Sequence, residues 1–178
     1  VSEHVTDVMT RLKEQGTTPE FVSIGNEVNG GLLFPFAPSF DMQMNCDSFE
    51  AVWGDDQTDN DIPMPAQTEA LARIMNAGYD AVKAVSPETQ VLLHLANGAK
   101  LSSYTWALDI YENAGAKYDV LGASYYPAWS DNTVEGCVEF CNEVYGKYGK
   151  KILIMETGFN WNATRKDGYP GQLVDIEA

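Results

Sequence analysis

Residues 90–95 have the sequence QVLLHL, in which apolar side chains follow one another instead of alternating with polar ones. Such a run is typical of a parallel strand that helices cover on both faces. Similar runs occur at residues 21–25 (FVSIG), 119–126 (DVLGASYY) and 151–155 (KILIM). We therefore predict four buried parallel strands.

Segments with apolar residues at helical spacing separate these strands. The clearest is Thr68–Val85, where one face carries Leu71, Ile74, Met75, Tyr79 and Val82. The others are Val5–Gln15, Ser103–Ala114 and Thr133–Tyr148, each followed by glycine, a residue that commonly ends helices. Outside residues 37–66, a strand begins about every 30 residues, as expected when each helix connects two parallel strands. The pattern predicts an α/β protein.

Residues 37–66 interrupt this order. They are polar, contain proline and have no hydrophobic period, with DDQTDNDIP at residues 55–63. We predict a long loop inserted into one domain, not a linker between two. The chain of 178 residues is short enough to form one domain at most, and its 44% hydrophobic content is sufficient for a core.

Two architectures fit four parallel strands with helical connections. One is an open doubly wound sheet, and the other is part of an eight-stranded βα barrel. The phosphate-binding patterns GxGxxG and GxxxxGK[ST], which often follow a strand of an open sheet, do not occur in the sequence. Both architectures stay open on this pattern alone.

Composition and charge exclude several classes of partner. The net charge of −15 repels nucleic-acid phosphates and anionic membrane surfaces, so we expect a neutral substrate, no nucleic acid and no membrane. No run of about 18 apolar residues or signal peptide is found, although the sequence opens with Val1 instead of Met. Cys46, Cys137 and Cys141 are too few for a disulfide scaffold, and with His4 and His94 as the only histidines we predict no metal site.

Polar side chains follow every predicted strand at its carboxyl end. The residues are Asn26 and Glu27; His94 and Asn97; Ser124, Tyr125 and Tyr126; and Glu156. Ligands bind at this rim in both α/β architectures, so Glu27 and Glu156 are expected to face each other there. Two such carboxylates suit cleavage of a glycosidic bond, which needs a proton donor and a second carboxylate for the developing cation. An isolated Asn-Glu pair is also typical of a strand end that caps a helix.

Aromatic side chains accompany the two carboxylates. Flat rings cover the C–H faces of sugars, so Phe34, Trp53, Tyr126, Trp129 and Trp161 are candidate sugar platforms. We expect Trp129 and Trp161 to be partly exposed at the rim. Trp106 lies inside a predicted helix and is assigned to the core instead.

Four motifs together resemble glycoside hydrolase family 53, the endo-β-1,4-galactanases. IGNEVNGGLLFP (24–35), VLLHLANG (91–98), LGASYYP (121–127) and ILIMETGFNW (152–161) are similar, in order, to strands four to seven of that family's (β/α)8 barrel. The resemblance covers nearly the whole chain apart from residues 37–66. It implies a partial TIM barrel from a secreted, extracellular or periplasmic enzyme that cleaves the β-1,4-galactan side chains of pectin with retention and without a cofactor.

The resemblance also implies roles for individual residues. Glu27 is then the general acid/base, Glu156 the nucleophile, and Asn26 the partner of the sugar 2-hydroxyl. Tyr126 matches the tyrosine that holds the nucleophile, while His94 and Asn97 match positions that contact sugar. Some family members bind calcium after strand seven, but that loop is cut short here, in agreement with the prediction of no metal.

Several residues depart from the family pattern. Phe34 replaces a usual tryptophan, an acidic residue common near Asn97 is absent, Glu156 is followed by Thr-Gly-Phe-Asn-Trp, and the loop at 37–66 is longer than expected. Two alternatives therefore remain: a related hydrolase acting on mannan, xylan or β-glucan, and a carbohydrate-binding remnant without activity. Since a complete barrel typically needs about 250 residues, we expect this chain to be part of one.

Overall fold

The computed structural model describes residues 1–32, 37–38, 64–127 and 132–158, with side chains described at 1–32, 71–127 and 132–158. The helices are α1 (Ser2–Glu14), α2 (Met64–Val85), α3 (Leu101–Asn113) and α4 (Val134–Tyr148). The strands are β1 (Phe21–Ser23), β2 (Gly31–Leu32), β3 (Ala37–Pro38), β4 (Gln90–Leu95), β5 (Val120–Ser124) and β6 (Ile152–Glu156). All four predicted helices and all four predicted strands are present.

A parallel sheet with the strand order β1-β4-β5-β6 forms the centre of the molecule. Val22 pairs with Val91, Leu93 with Leu121, and Gly122 with Leu153. Within this sheet, each strand therefore lies beside the next strand in chain order, and a helix connects the two. The order never reverses, as it does in a doubly wound sheet, so the sheet favours the barrel over the open alternative.

The observed elements differ from the predicted ones mainly at their ends. β1 stops at Ser23 because Gly25 adopts a left-handed backbone conformation, with φ of 89°. β5 stops at Ser124, although the N–H of Tyr125 still donates to the carbonyl of Glu156 at 2.8 Å. α4 begins at Val134 because Thr133 is its N-cap, and the hydroxyl oxygen of Thr133 accepts from the N–H of Gly136.

The predicted loop at 37–66 is described only at its two ends. Ala37 and Pro38 form β3, which pairs antiparallel with Gly31 and Leu32 of β2, a hairpin that the sequence pattern did not predict. The following helix, α2, already begins at Met64. Residues 39–63 lie outside the described residues, so the long loop and its place on the rim stay predictions.

The core lies between the sheet and the helices. β4 is its centre, because Val91, Leu92, Leu93, His94 and Leu95 are all buried. Helix residues that pack against the sheet include Met9 of α1, Leu71, Met75 and Val82 of α2, Tyr104, Leu108 and Tyr111 of α3, and Phe140 and Val144 of α4. Because neighbouring residues of a strand point to opposite faces, the burial of all five residues of β4 shows that both of its faces are covered, as its unbroken apolar run predicted.

Two cysteines lie on the inner side of α4. Cys137 is buried, Cys141 is half-buried, and both are free thiols. Burial raises the pKa of the Cys137 thiol and raises that of Cys141 to about 11, which keeps both protonated near neutral pH. Cys46 lies outside the described residues. No helix in the described part of the chain is both long and apolar enough to cross a bilayer.

Candidate active site

The first strand ends in a tight turn that presents Glu27. Gly25 has φ of 89°, and a Cβ atom there would lie 2.5 Å from Val28 Cγ1 and 2.7 Å from Leu32 Cδ2, so only glycine fits. Glu27 follows with φ of 48°, a left-handed conformation that is uncommon for a residue with a side chain. Such conformations cost about 1–3 kcal/mol and tend to occur at functional sites.

Neighbouring elements hold this turn in place. The hydroxyl of Tyr111, which is buried in α3, donates to the carbonyl of Val28 at 2.6 Å. Asn29 binds the backbone just beyond β4, because its Oδ1 accepts from the N–H of Ala96 at 2.6 Å and its Nδ2 donates to the carbonyl of Ala96 at 3.4 Å. We did not predict a role for Asn29 from the sequence, although it is a second amide shortly after Asn26.

A β-bulge positions Glu156. Ala123 pairs with Ile154, but the next residue, Ser124, pairs with Glu156 instead of Met155. The extra residue brings Glu156 level with Ser124, and paired residues of neighbouring strands point to the same side of a sheet. Gly122 provides room, since a side chain at this position would collide with Sδ of Met155.

Tyr126 and His94 surround the carboxylate of Glu156. The hydroxyl of Tyr126 donates to Oε2 at 2.9 Å, the contact that the family resemblance implies. The hydrogen bond to Glu156, together with burial and the charges of Glu156 and Glu27, raises the pKa of Tyr126, which therefore stays a hydrogen-bond donor near neutral pH. His94 Nε2 lies 3.9 Å from the other oxygen, Oε1.

Glu27, His94 and Glu156 converge at the carboxyl ends of β1, β4 and β6. One ligand-capable atom from each of the three lies within 4.8 Å of the other two. By distance alone this trio can approach a metal ion. The ring of His94, however, accepts the backbone N–H of Glu27 at Nδ1, at 3.5 Å, while its other nitrogen, Nε2, lies nearer Glu156. Nε2 is also engaged by protein, since it lies 2.8 Å from Oγ of Ser124.

Some of the remaining candidate residues are exposed at the surface, and others lie outside the described residues. Asn26 and Asn97 are exposed, and Asn97 has φ of 65° in a loop where the N–H of Gly98 donates to the carbonyl of Ser124 at 2.9 Å. His94 is buried, so the sugar contact implied for it stays a prediction. Trp106 is half-buried against the core, as expected. The candidate platforms Phe34, Trp53, Trp129 and Trp161 lie outside the described residues.

A cavity of about 610 Å³ lies at the opposite end of the sheet from the carboxylates. It is lined by residues at the starts of the strands, among them Phe21, Gln90, Val120 and Ile152. Interior side chains fill this space in a closed barrel. Because it lies at the amino ends of the strands, away from the rim where α/β proteins bind ligands, we assign it no role in the chemistry.

A family model described as glycosyl hydrolase family 53 matches residues 1–176. The chain belongs to glycosyl hydrolase family 53. The match spans all four motifs on which the resemblance rested, and it confirms that resemblance.

Relatives of this family 53 chain include named galactanases. It is 28% identical to an arabinogalactan endo-beta-1,4-galactanase of Cellvibrio japonicus, over 89% of this chain and 37% of that protein. It is 30% identical to a probable arabinogalactan endo-beta-1,4-galactanase A of Aspergillus terreus, over 88% of this chain and 40% of that protein. The chain therefore spans less than half the length of these relatives.

A solved structure agrees with the fold of the family 53 chain. The catalytic domain of a family 53 protein from Ignisphaera aggregans superposes with a TM-score of 0.66 at 27% identity, covering 94% of this chain and 40% of that one. The predicted fold class, a partial (β/α)8 barrel, is thereby confirmed. The carboxylates of this family 53 chain lie where such barrels build their active sites, at the carboxyl ends of the strands.

Proposed function

We propose that residues 1–178 form part of the catalytic barrel of a retaining endo-β-1,4-galactanase. The observation that carries the proposal is the convergence of Glu27 and Glu156, whose nearest carboxylate oxygens lie within 4.8 Å of each other at the strand carboxyl ends. The names of the relatives, arabinogalactan endo-beta-1,4-galactanases, supply the substrate class.

The short separation of the two carboxylates supports retention of the anomeric configuration. Retaining glycosidases hold their two carboxyl groups about 5–5.5 Å apart, whereas inverting enzymes need roughly 6.5–9.5 Å to admit a water molecule. The nearest oxygens of Glu27 and Glu156, within 4.8 Å of each other, agree better with the shorter of these two separations. The geometry therefore suits direct attack by a carboxylate.

In the first step, Glu156 attacks the anomeric carbon while Glu27 donates a proton to the departing sugar oxygen. The bond from the anomeric carbon to that oxygen breaks as a bond to Glu156 forms. Tyr126 holds Oε2 of Glu156, so that one oxygen of the carboxylate keeps a fixed orientation. Asn26, next to Glu27 and exposed at the rim, is assigned to the sugar 2-hydroxyl.

In the second step, Glu27 accepts a proton from water, and the resulting hydroxide displaces Glu156 from the anomeric carbon. Both carboxyl groups thereby return to their starting states, and the configuration is retained after two inversions. No cofactor takes part. Asn97 is assigned to sugar binding because it matches a family position that contacts sugar. Phe34, Trp129 and Trp161 are assigned to it as aromatic platforms for sugar rings.

The proposed substrate also indicates where the protein acts. A polysaccharide such as β-1,4-galactan does not cross a membrane, so the enzyme that cleaves it internally is expected outside the cytoplasmic membrane, in the periplasm or the medium. The net charge of −15 suits a neutral glycan and disfavours nucleic acid and anionic membrane surfaces as partners.

Glu27→Gln and Glu156→Gln variants of the full-length protein test the proposal. Glu156→Gln should abolish turnover of every substrate, because no other group forms the covalent bond. Glu27→Gln should still release good leaving groups, which need little protonation, and azide should restore its turnover by replacing the water that Glu27 activates. Identical behaviour of the two variants contradicts the assignment.

A panel of polysaccharides separates the alternatives that the sequence left open. Preferential hydrolysis of β-1,4-galactan supports the proposal, while preference for mannan, xylan or β-glucan indicates a related hydrolase with other specificity. Binding without hydrolysis by a folded full-length protein indicates a carbohydrate-binding remnant and contradicts the proposed activity.

A further inference from the structure

His94 lies between the two candidate catalytic carboxylates without being exposed to the rim. Only 1% of its surface is accessible, and both ring nitrogens contact groups that belong to the site. Nδ1 lies 3.5 Å from the backbone nitrogen of Glu27, Nε2 lies 2.8 Å from Oγ of Ser124, and Nε2 lies 3.9 Å from Oε1 of Glu156. One imidazole therefore contacts the backbone of Glu27 on one side and lies near Glu156 on the other.

The partners of the ring determine which nitrogen carries its proton. The backbone N–H of Glu27 can only donate, so Nδ1 must offer a lone pair. A neutral imidazole then carries its hydrogen on Nε2, which donates to the hydroxyl oxygen of Ser124. The same N–H is directed to the side of the ring on which Glu156 lies, although 3.9 Å is too long for a direct hydrogen bond.

The contact at Nδ1 matters because it holds the unusual backbone conformation of Glu27. With φ of 48°, Glu27 adopts a conformation that its neighbours must hold. The carbonyl of the next residue, Val28, is fixed by Tyr111, and the N–H of Glu27 itself is fixed by His94. A change in the Glu27 backbone would turn its carboxyl group away from the substrate oxygen, and proton transfer depends on that alignment.

We propose that His94 is a positioning residue that holds both carboxylates in place, with a lone pair on Nδ1 and a hydrogen on Nε2. Its Nδ1 side fixes the backbone of Glu27, and its Nε2 side fixes Ser124, which pairs with Glu156 across the β-bulge. This role rests on the proposed function for its catalytic consequence, but the tautomer of the ring does not. A sugar contact and metal binding are the two competing roles.

Nuclear magnetic resonance of the full-length protein, labelled with ¹⁵N-histidine, tests the tautomer independently of activity. A His94→Gln variant identifies the His94 signals by their loss, and a His4→Gln variant, at an exposed position on α1, serves as the control. We expect His94 near neutral pH to show a protonated Nε2 and a protonless Nδ1. A hydrogen on Nδ1, or a shift of the His94 signals when Zn²⁺ alone is added, overturns the proposal.

Two variants then separate the two sides of the ring. The amide oxygen of asparagine lies near the position of Nδ1, so His94→Asn can still accept from Glu27 while losing the contact with Ser124. The amide nitrogen of glutamine lies near the position of Nε2, so His94→Gln can still donate to Ser124 while losing the contact with Glu27. Ser124→Ala serves as a matched control for the Nε2 side.

The variants should differ in how their activity depends on the leaving group. His94→Gln misaligns the acid, so its kcat/KM should fall at least about tenfold more for poor leaving groups than for good ones. His94→Asn and Ser124→Ala should lower kcat/KM by a similar factor for all leaving groups, because both act on the side of the nucleophile. Circular dichroism verifies that each variant is folded.

If kcat/KM falls equally for all leaving groups in both folded variants, His94→Gln and His94→Asn, the positioning role is contradicted. A change confined to KM also contradicts it, because a sugar contact predicts that result. If the full-length protein hydrolyses no glycan, the proposed function fails while the tautomer measurement still decides how His94 is held.

Discussion

Tyr126 is the residue that fixes the candidate nucleophile from the exposed side of the rim. Its hydroxyl donates to Oε2 of Glu156 at 2.9 Å. This hydrogen bond is the first cause of the raised pKa of Tyr126, because ionising the phenol would place a second negative charge beside the carboxylate. The raised pKa means that Tyr126 keeps its proton, and its hydrogen bond to Glu156, near neutral pH.

Replacing Tyr126 by phenylalanine should lower kcat/KM roughly ten- to hundredfold, because a hydrogen bond to a charged group is lost without loss of the ring. Since the pKa is raised, the bond is complete below about pH 10, the usual value, and is lost only as the pH rises through the higher value. The wild-type protein should therefore lose activity in that alkaline range. Steady-state kinetics of both proteins check this.

Tyr145→Phe is a matched control, since Tyr145 is exposed on α4. At every pH, its kcat/KM should equal that of the wild-type protein. A Tyr126→Phe variant that turns over at the wild-type rate contradicts the role of Tyr126.

At the scale of elements, Asp119 joins α2 to the beginning of two strands. Its carboxylate accepts from the hydroxyl of Tyr79 at 3.0 Å, from the N–H of Val91 at 2.9 Å and from Nζ of Lys83 at 2.7 Å. Burial by itself raises the pKa of Asp119, but these hydrogen bonds and the charge of Lys83 outweigh it and hold the pKa below the usual value. The charged form is thus favoured in the folded state.

Asp119→Asn should lower the free energy of unfolding by about 1.5–3 kcal/mol at neutral pH, the usual range for hydrogen bonds to a charged group. Because the folded-state pKa is depressed, this stability is present above the unfolded pKa of about 3.9 and is lost as the pH falls through the folded value. The difference between the two proteins should therefore shrink below about pH 4. Urea unfolding at several pH values measures it.

Asp80→Asn provides the comparison, since Asp80 pairs with Lys117 on the surface, where the two side chains are 60% and 50% exposed. We expect a loss of no more than about 1 kcal/mol there. Equal losses for Asp119→Asn and Asp80→Asn would show that Asp119 does not connect the elements as described.

Some features of the helices and strands could be predicted from the sequence, and others could not. The unbroken apolar run of β4 and the glycines after α3 and α4 predicted the parallel strands and helix ends, because each depends on local residues alone. The bulge between β5 and β6 was not predicted, because it depends on the pairing of two strands that no local pattern describes. The contact of Asn29 was not predicted either, because its partner, the backbone of Ala96, is distant in sequence.

The site was predictable to a similar extent. Glu27 and Glu156 could be predicted to meet because both follow apolar strands, and the carboxyl ends of parallel strands share one rim. Either residue alone is equally typical of a helix cap. The environment of His94 could not be found, because its burial and both of its nitrogen contacts arise only when β1, β4 and β5 come together.

At the scale of the whole molecule, the described sheet has two edges. Among the described residues, neither β1 nor β6 has a further strand on its outer side, and both edges carry exposed apolar side chains: Phe21 on β1, and Leu153 and Ile154 on β6. Unpaired strand edges readily pair with other chains. The relatives, with more than twice the matched length, have further residues available to cover such edges.

The 178-residue chain by itself should therefore self-associate, and Leu153→Lys with Ile154→Lys should shift it toward smaller species, because charges on an edge strand oppose pairing. Val8→Lys changes an equally exposed apolar residue on α1 and should have no such effect. Analytical ultracentrifugation of the three proteins checks this. A wild-type chain that is monomeric and unfolds cooperatively contradicts the prediction of an open-edged partial barrel.

Covalent labelling tests the central claim, that Glu156 is the nucleophile of a retaining glycosidase and Glu27 its acid/base. A 2-deoxy-2-fluoro-galactoside with a good leaving group traps a glycosyl-enzyme when a carboxylate attacks the anomeric carbon. Incubation with the active full-length protein, followed by mass spectrometry of its peptides, should locate one sugar per molecule on Glu156, and Glu156→Gln should abolish the label. An active protein that takes up no label, or that carries it on Glu27, would contradict the account.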